Sequence, residues 1–124
     1  MADKEFIDPL GRRIFVSSNT NGKGDHPLKH GTNIDAIQKT IETPYRIYGH
    51  NAFPNTSHYV RLHSEEYPDP TPKGKKENMN LTVVRFDASN PNQGRAITSY
   101  YTDYLSEKPI NIKDVQYDEN KKHK

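Results

Sequence analysis

The run Leu81-Thr82-Val83-Val84-Arg85-Phe86, answered by Arg95-Ala96-Ile97-Thr98-Ser99-Tyr100-Tyr101, decides the fold. Its near-continuous apolar and β-branched side chains predict a central strand, because they pack well on a pleated surface covered from both sides. Between the two runs, Asp87-Ala88-Ser89-Asn90-Pro91-Asn92-Gln93-Gly94 is rich in turn formers, so the expected unit is an antiparallel hairpin. Upstream, Ser57-His58-Tyr59-Val60-Arg61-Leu62-His63 alternates strictly. Val60 and Leu62 share one strand face with His58, and Tyr59, Arg61 and His63 share the other, which is expected to carry the chemistry. Tyr45-Arg46-Ile47-Tyr48, ended by Gly49-His50-Asn51, predicts one more short strand.

Ahead of these strands, Thr32 stands as an N-cap with Asp35 three positions on, and Ile34, Ile37 and Ile41 follow at helical spacing until Thr43-Pro44. That pattern predicts a helix from about Asn33 to Glu42. Asp8-Pro9-Leu10-Gly11 predicts a turn between two short extended pieces, and the small polar residues from Ser17 to Gly24 predict a surface loop. Between Glu65 and Met79, Pro68, Pro70, Pro72 and Gly74 alternate with Lys73, Lys75 and Lys76, a connection no regular element accommodates. From Ile110 the chain is charged and aperiodic and is expected to fray. The organisation expected is one α+β domain: an N-terminal strand and polar loop over 1–24, a core over 25–109 and a tail over 110–124.

With 124 residues of which 31% are hydrophobic, the core must be small, and the eight tyrosines must supply part of it. A net charge of +2 is too weak for the whole molecule to attract a polyanion, so any basic site has to be local. The absence of cysteine excludes disulfides and thiolate chemistry. No apolar run reaches the roughly 18 residues of a membrane span, and Met1-Ala2-Asp3-Lys4 lacks a signal peptide's apolar stretch.

Cleaving RNA without a metal requires a base for the 2'-hydroxyl proton, an acid for the leaving oxygen, and cations or donors around the phosphate. His26 and His30, Tyr59 and Arg61, and Thr98 and Tyr100 offer those groups on strand faces or just ahead of the helix. Arg61 suits a phosphate through its guanidinium fork, Tyr59 suits a stacked base, and Lys73, Lys75 and Lys76 suit phosphate contacts from their loop. The bland alternatives are a solvated arginine, a packed tyrosine and a solvated lysine loop. His58, alternating with Val60 and Leu62, reads as a partly buried, hydrogen-bonded histidine. Of the six histidines, only His26 and His30 stand at i, i+4 spacing near the helix, and no third ligand is marked beside them, so neither a metal nor a cofactor is expected.

The order of these pieces, His26-Pro27 before a helix, Tyr59-Val60-Arg61 on a strand, an apolar strand and a last strand Ile97-Thr98-Ser99-Tyr100, resembles the barnase/EndoU/colicin/RelE-like nuclease superfamily. More narrowly it resembles the toxin domains of phage and of contact-dependent growth inhibition proteins. The resemblance covers roughly Asp25 to Tyr104 through short motifs. It implies a helical layer on a twisted antiparallel sheet of about four to five strands, and a metal-independent ribonuclease acting on transfer RNA or other cellular RNA. It also implies a cognate immunity protein, and delivery from a secreted or cell-surface toxin into the target-cell cytoplasm. By position, Thr98 and Tyr100 match the family's Thr-x-Tyr, with Ser99 between them as a substrate contact. His26 matches the histidine of His-Pro, and Arg61 the phosphate-facing arginine. Leu28 stands where a glutamate is common, and the Pro/Lys loop resembles an insertion; His30 competes with His26 for the role of base. The alternative is a non-catalytic phage-type or RNA- or protein-binding module using the same sheet face. The catalytic reading requires Arg61, Thr98 and Tyr100 to meet a histidine on one face.

Overall fold

The computed structural model describes residues 4–17, 34–62, 79–102, 105 and 108–119. Its elements in chain order are β1 (Lys4–Ile7), β2 (Arg13–Val16), α1 (Ile34–Glu42), β3 (Arg46–His50), β4 (Thr56–Leu62), β5 (Met79–Asp87), β6 (Asn90–Thr102) and β7 (Ile110–Asp118). All seven strands form one sheet in the order β1-β2-β6-β5-β4-β3-β7. Every pairing is antiparallel except β2 with β6.

The expected hairpin is β5–β6, but its turn is tighter than the composition implied. Asp87 pairs with Asn90, so Ala88 and Ser89 alone make the reversal, and the Asp87 carboxylate holds the Ser89 amide at 2.9 Å and hydroxyl at 2.7 Å. The helix stands where the isoleucine spacing put it, with Ile37 and Ile41 fully buried. Four to five strands and a helical layer were expected; the described residues hold seven strands and a single helix of nine residues.

The expected frayed tail is instead the edge strand β7, paired with β3 through two register shifts. A Cβ on Gly49 would lie 2.0 Å from Asp114 Oδ2, so the exposed Asp114 side chain folds over the bare glycine backbone and would have to turn aside for any larger residue. An edge strand held by backbone pairing, and bulged, has no need of a regular apolar period, which is why β7 escaped the periodicity argument.

The sheet buries both faces. Under α1 lie Ile14, Val16, Ile47, Tyr59, Val84 and Phe86 with Ile37 and Ile41, and the opposite face packs Tyr48, Val60, Leu81, Val83 and Ile110. The β1–β2 turn is joined to the central sheet by one polar knot. Asp8 Oδ1 accepts from the Leu10 and Arg12 amides at 3.0 and 2.8 Å, closing a turn that Gly11 completes at φ +83°. Asp8 Oδ2 accepts from Arg12 Nε at 2.8 Å and from the Tyr59 hydroxyl, while Arg12 Nη2 donates to that hydroxyl at 3.0 Å. Burial holds the Tyr59 phenol well above its usual range, so it stays a donor to Asp8. Beside the helix a second polar cluster is fully buried: the Thr40, Thr82 and Ser99 hydroxyls lie 2.8, 3.0 and 3.4 Å from Asn80 Oδ1.

Asp8→Ala leaves the Arg12 guanidinium and Tyr59 hydroxyl without their acceptor and is expected to destabilise the fold by roughly 3 kcal/mol. Tyr59→Phe, losing the hydrogen bond donated to Asp8 and the one accepted from Arg12, is expected to destabilise by about 2 to 3 kcal/mol. Urea unfolding followed by circular dichroism measures both; a change within 0.5 kcal/mol, roughly the range of ordinary surface substitutions, would dissolve the knot as a stabilising unit.

Candidate functional site

Strand alternation and register lay out the sheet face opposite α1 as three rows. The first row is Arg46-Val60-Leu81-Tyr100 and the second Tyr48-His58-Val83-Thr98, each residue directly beside the next across β3, β4, β5 and β6. The third holds Arg85 beside Arg95, with Phe15 of β2 beyond. Their side chains share this face because the residues alternating with them, Ile14, Tyr59, Val84 and Ala96, all belong to the core under the helix.

Thr98 and Tyr100 therefore do share one face, and both are half-buried there. Arg61 does not join them: it lies on the helix side with Tyr59, where its Nη1 donates to the Thr43 hydroxyl and carbonyl at 3.2 and 3.3 Å. The face of β4 expected to carry the chemistry is thus the one the helix covers. Tyr59 is fully buried and cannot stack a base, and Ser99 is fully buried with its hydroxyl 3.0 Å from that of Thr82. The physical reason is the same for both: α1 presents its isoleucines to that side. His26, His30, Lys73, Lys75 and Lys76 lie outside the described residues.

Sequence reasoning favoured a packed, hydrogen-bonded His58 over a catalytic one, and it occupies the middle of the face away from α1. It is 2% exposed, and its ring stacks on that of His50 at 5.3 Å between centroids. The hydrogen bond expected for a buried histidine is missing, since neither ring nitrogen has a partner of ordinary geometry among the described residues. Burial pushes its pKa down to about 4, the neighbouring His50 adds to the shift, and the Pro109 carbonyl opposes it weakly. His50 in turn accepts from the Ala52 and Phe53 amides through Nδ1, at 2.9 and 3.2 Å.

At the β3 end, Arg46 donates to Asp118 at 3.2 Å and to the Tyr48 hydroxyl at 3.0 Å, and the Tyr48 bond holds its guanidinium still more firmly charged. A separate hollow of about 350 Å³ opens at the helix-side end of the sheet between Leu10, Arg12, Asn55 and Phe86. Its polar groups are spent internally, Arg12 on Asp8, Asn55 on the Phe86 carbonyl at 2.9 Å and Ser57 on Gln116 at 2.7 Å. No group of three or more metal-ligating side chains occurs among the described residues, and no helix among them is long and apolar enough to cross a membrane.

No family model matches the chain, and neither a curated protein nor a solved structure is similar to it.

His58 makes the fold acid-sensitive in a defined window. Its imidazole is protonated near pH 6.5 in the unfolded chain but only near 4 when folded, so the unfolded state takes up the proton first. The stability it supports is complete above pH 6.5 and is lost progressively towards pH 4, by on the order of 3 kcal/mol. His58→Leu should flatten the urea midpoint over that interval relative to the unsubstituted protein; an unchanged slope would show that His58 is not the responsible group.

Proposed function

We propose that the protein is a metal-independent ribonuclease whose substrate lies on the sheet face opposite α1. The observation that carries the reading is that Thr98 and Tyr100, the two residues matching the Thr-x-Tyr of the nuclease resemblance, project together from β6 onto the side away from α1, where both are half-buried. In this reading the ribose 2'-oxygen attacks phosphorus and the bond to the 5'-oxygen breaks, leaving a 2',3'-cyclic phosphate. The 2'-hydroxyl proton passes to a base, for which His26 or His30 is the candidate, and an acid protonates the leaving 5'-oxygen. The Thr98 and Tyr100 hydroxyls donate to the phosphoryl oxygens as charge builds on them. The role proposed from sequence for Arg61 is withdrawn, because that side chain is on the helix side. A transfer RNA or another cellular RNA as substrate, a cognate immunity protein covering this face, and service as the toxin domain of a secreted or cell-surface protein complete the proposal.

A second reading, a binding module without catalysis, is favoured by one specific observation. The imidazole at the centre of the described face, His58, is buried and a weak base, so it is poorly suited to take the 2'-hydroxyl proton.

Labelled transfer RNA incubated with the protein in EDTA separates the two. Discrete fragments ending in cyclic phosphate are expected, with rates falling by roughly 100-fold in Tyr100→Phe and His26→Ala or His30→Ala, and by less than threefold in Arg61→Gln, by the usual size of single acid–base or donor contributions. RNA recovered intact from a complex with the unsubstituted protein would leave the binding module; full activity in Thr98→Val and Tyr100→Phe would move the site off this face.

A further inference from the structure

His50 and His58 stand on β3 and β4 with their rings stacked at 5.3 Å, and both are placed as neutral imidazoles. Neither nitrogen of the buried His58 has a hydrogen-bond partner among the described residues, so a charge there would go uncompensated. His50 Nδ1 accepts from the Ala52 and Phe53 amides, and a proton on that nitrogen would face two donors and break both bonds. Two imidazolium rings in this stack would also repel each other. The groups around them offer no relief. Tyr48 on β3 and Val83 on β5 flank His58, and the Pro109 carbonyl ahead of β7 already takes the Asn51 amide at 2.8 Å. Arg85 on β5 brings a further cation 5.9 Å from the Phe53 ring, and Lys108 brings another beside Pro109. Of the carboxylates on β7, Asp118 is held by Arg46 and Asp114 lies against Gly49, whose strand position turns it to the helix side.

The same residues fasten two pieces of chain. Phe53 packs on the His50 ring at 4.9 Å, and Asn51 Nδ2 donates to the Lys108 and Ile110 carbonyls at 3.1 and 3.2 Å. Ile110 is thereby held in the core away from α1, with Tyr48, Val60 and Leu81. The core under the helix contains no histidine among the described residues.

We propose that His50 and His58 form a proton-operated latch: proton uptake by the stacked pair frees Asn51–Phe53 and Lys108–Ile110 from the sheet and uncovers the apolar floor of Tyr48, Val60 and Leu81, while the helix-side core stays folded. The inference is independent of the ribonuclease reading, and it makes the acid response of His58 begin as a local opening. His58 takes up a proton near pH 6.5 once released but only near 4 while latched, so falling pH favours the opened form.

The test follows the full chain by NMR from about pH 7.5 to 4.5. It reads the His58 ring, the methyls of Ile110, Ile37 and Ile41, and the exchange protection of the Ala52 and Phe53 amides, corrected for the intrinsic pH dependence of exchange. Protection is expected to fall roughly tenfold for each pH unit below about 6, the response of one proton taken up on opening, with the Ile110 methyls shifting and those of Ile37 and Ile41 holding. In the double variant His50→Asn with His58→Leu, an amide oxygen keeps an acceptor for the two amides without a titrating ring, and the fall is expected to shrink below about twofold per unit. Ile37 and Ile41 moving at the same pH as Ile110, a His58 ring that titrates while the two amides stay protected, or an equal loss of protection in the double variant would each overturn the latch. The first two outcomes are read on the unsubstituted protein and do not depend on the variant folding.

Discussion

The hydroxyl of Tyr59 reaches across the helix side of the sheet to a carboxylate in the β1–β2 turn, and that contact settles which face of the molecule is inside. Asp8 is buried, and a buried carboxylate is tolerated only when its oxygens are filled; the turn amides, Arg12 and Tyr59 fill them. With Tyr59 pinned there, strand alternation leaves His58 and Val60 no choice but the opposite side. Pairing carries the same assignment to β5 and β6, so Val84 and Ser99 turn inward with Tyr59 while Thr98 and Tyr100 turn away from the helix. The placement of every candidate functional residue on the central strands follows from this one orientation.

The consequence is a sheet whose two sides differ, the helix side structural and the other the side on which the proposed chemistry is placed. The structural side closes over isoleucines, the Asp8–Arg12–Tyr59 knot and the buried hydroxyl cluster around Asn80. The other side keeps an apolar floor of Val60, Leu81 and Val83, with hydroxyls, an uncharged imidazole and two adjacent arginines around it. In the ribonuclease reading proposed above, such a floor would exclude water beneath a bound phosphate and strengthen each donor pointed at it.

Much of this was legible in the residues. The isoleucine period marked α1, the apolar run marked β5 and the alternation marked β4 at nearly their true extents. What periodicity could not supply was which face of β4 the helix would take, because Tyr59-x-Arg61 and His58-x-Val60 are each compatible with burial: a tyrosine and a long arginine stem cover apolar surface as readily as a histidine does. The deciding partner, Asp8, lies 51 positions away in sequence. β7 was missed because it is held by backbone pairing, and Arg85 and Arg95 because their meeting depends on the bulge that shifts register between Val83 and Val84.

The account's central claim is that RNA meets the face away from α1. Methyl-resolved NMR of the protein titrated with a non-cleavable 2'-O-methyl oligoribonucleotide tests it directly, since Thr98 and Val83 report from that face and Ile37, Ile41 and Val84 from beneath the helix. The account predicts shifts in the methyls of Thr98 and Val83 with those of Ile37, Ile41 and Val84 nearly unmoved. Shifts concentrated on the helix-side methyls would contradict it.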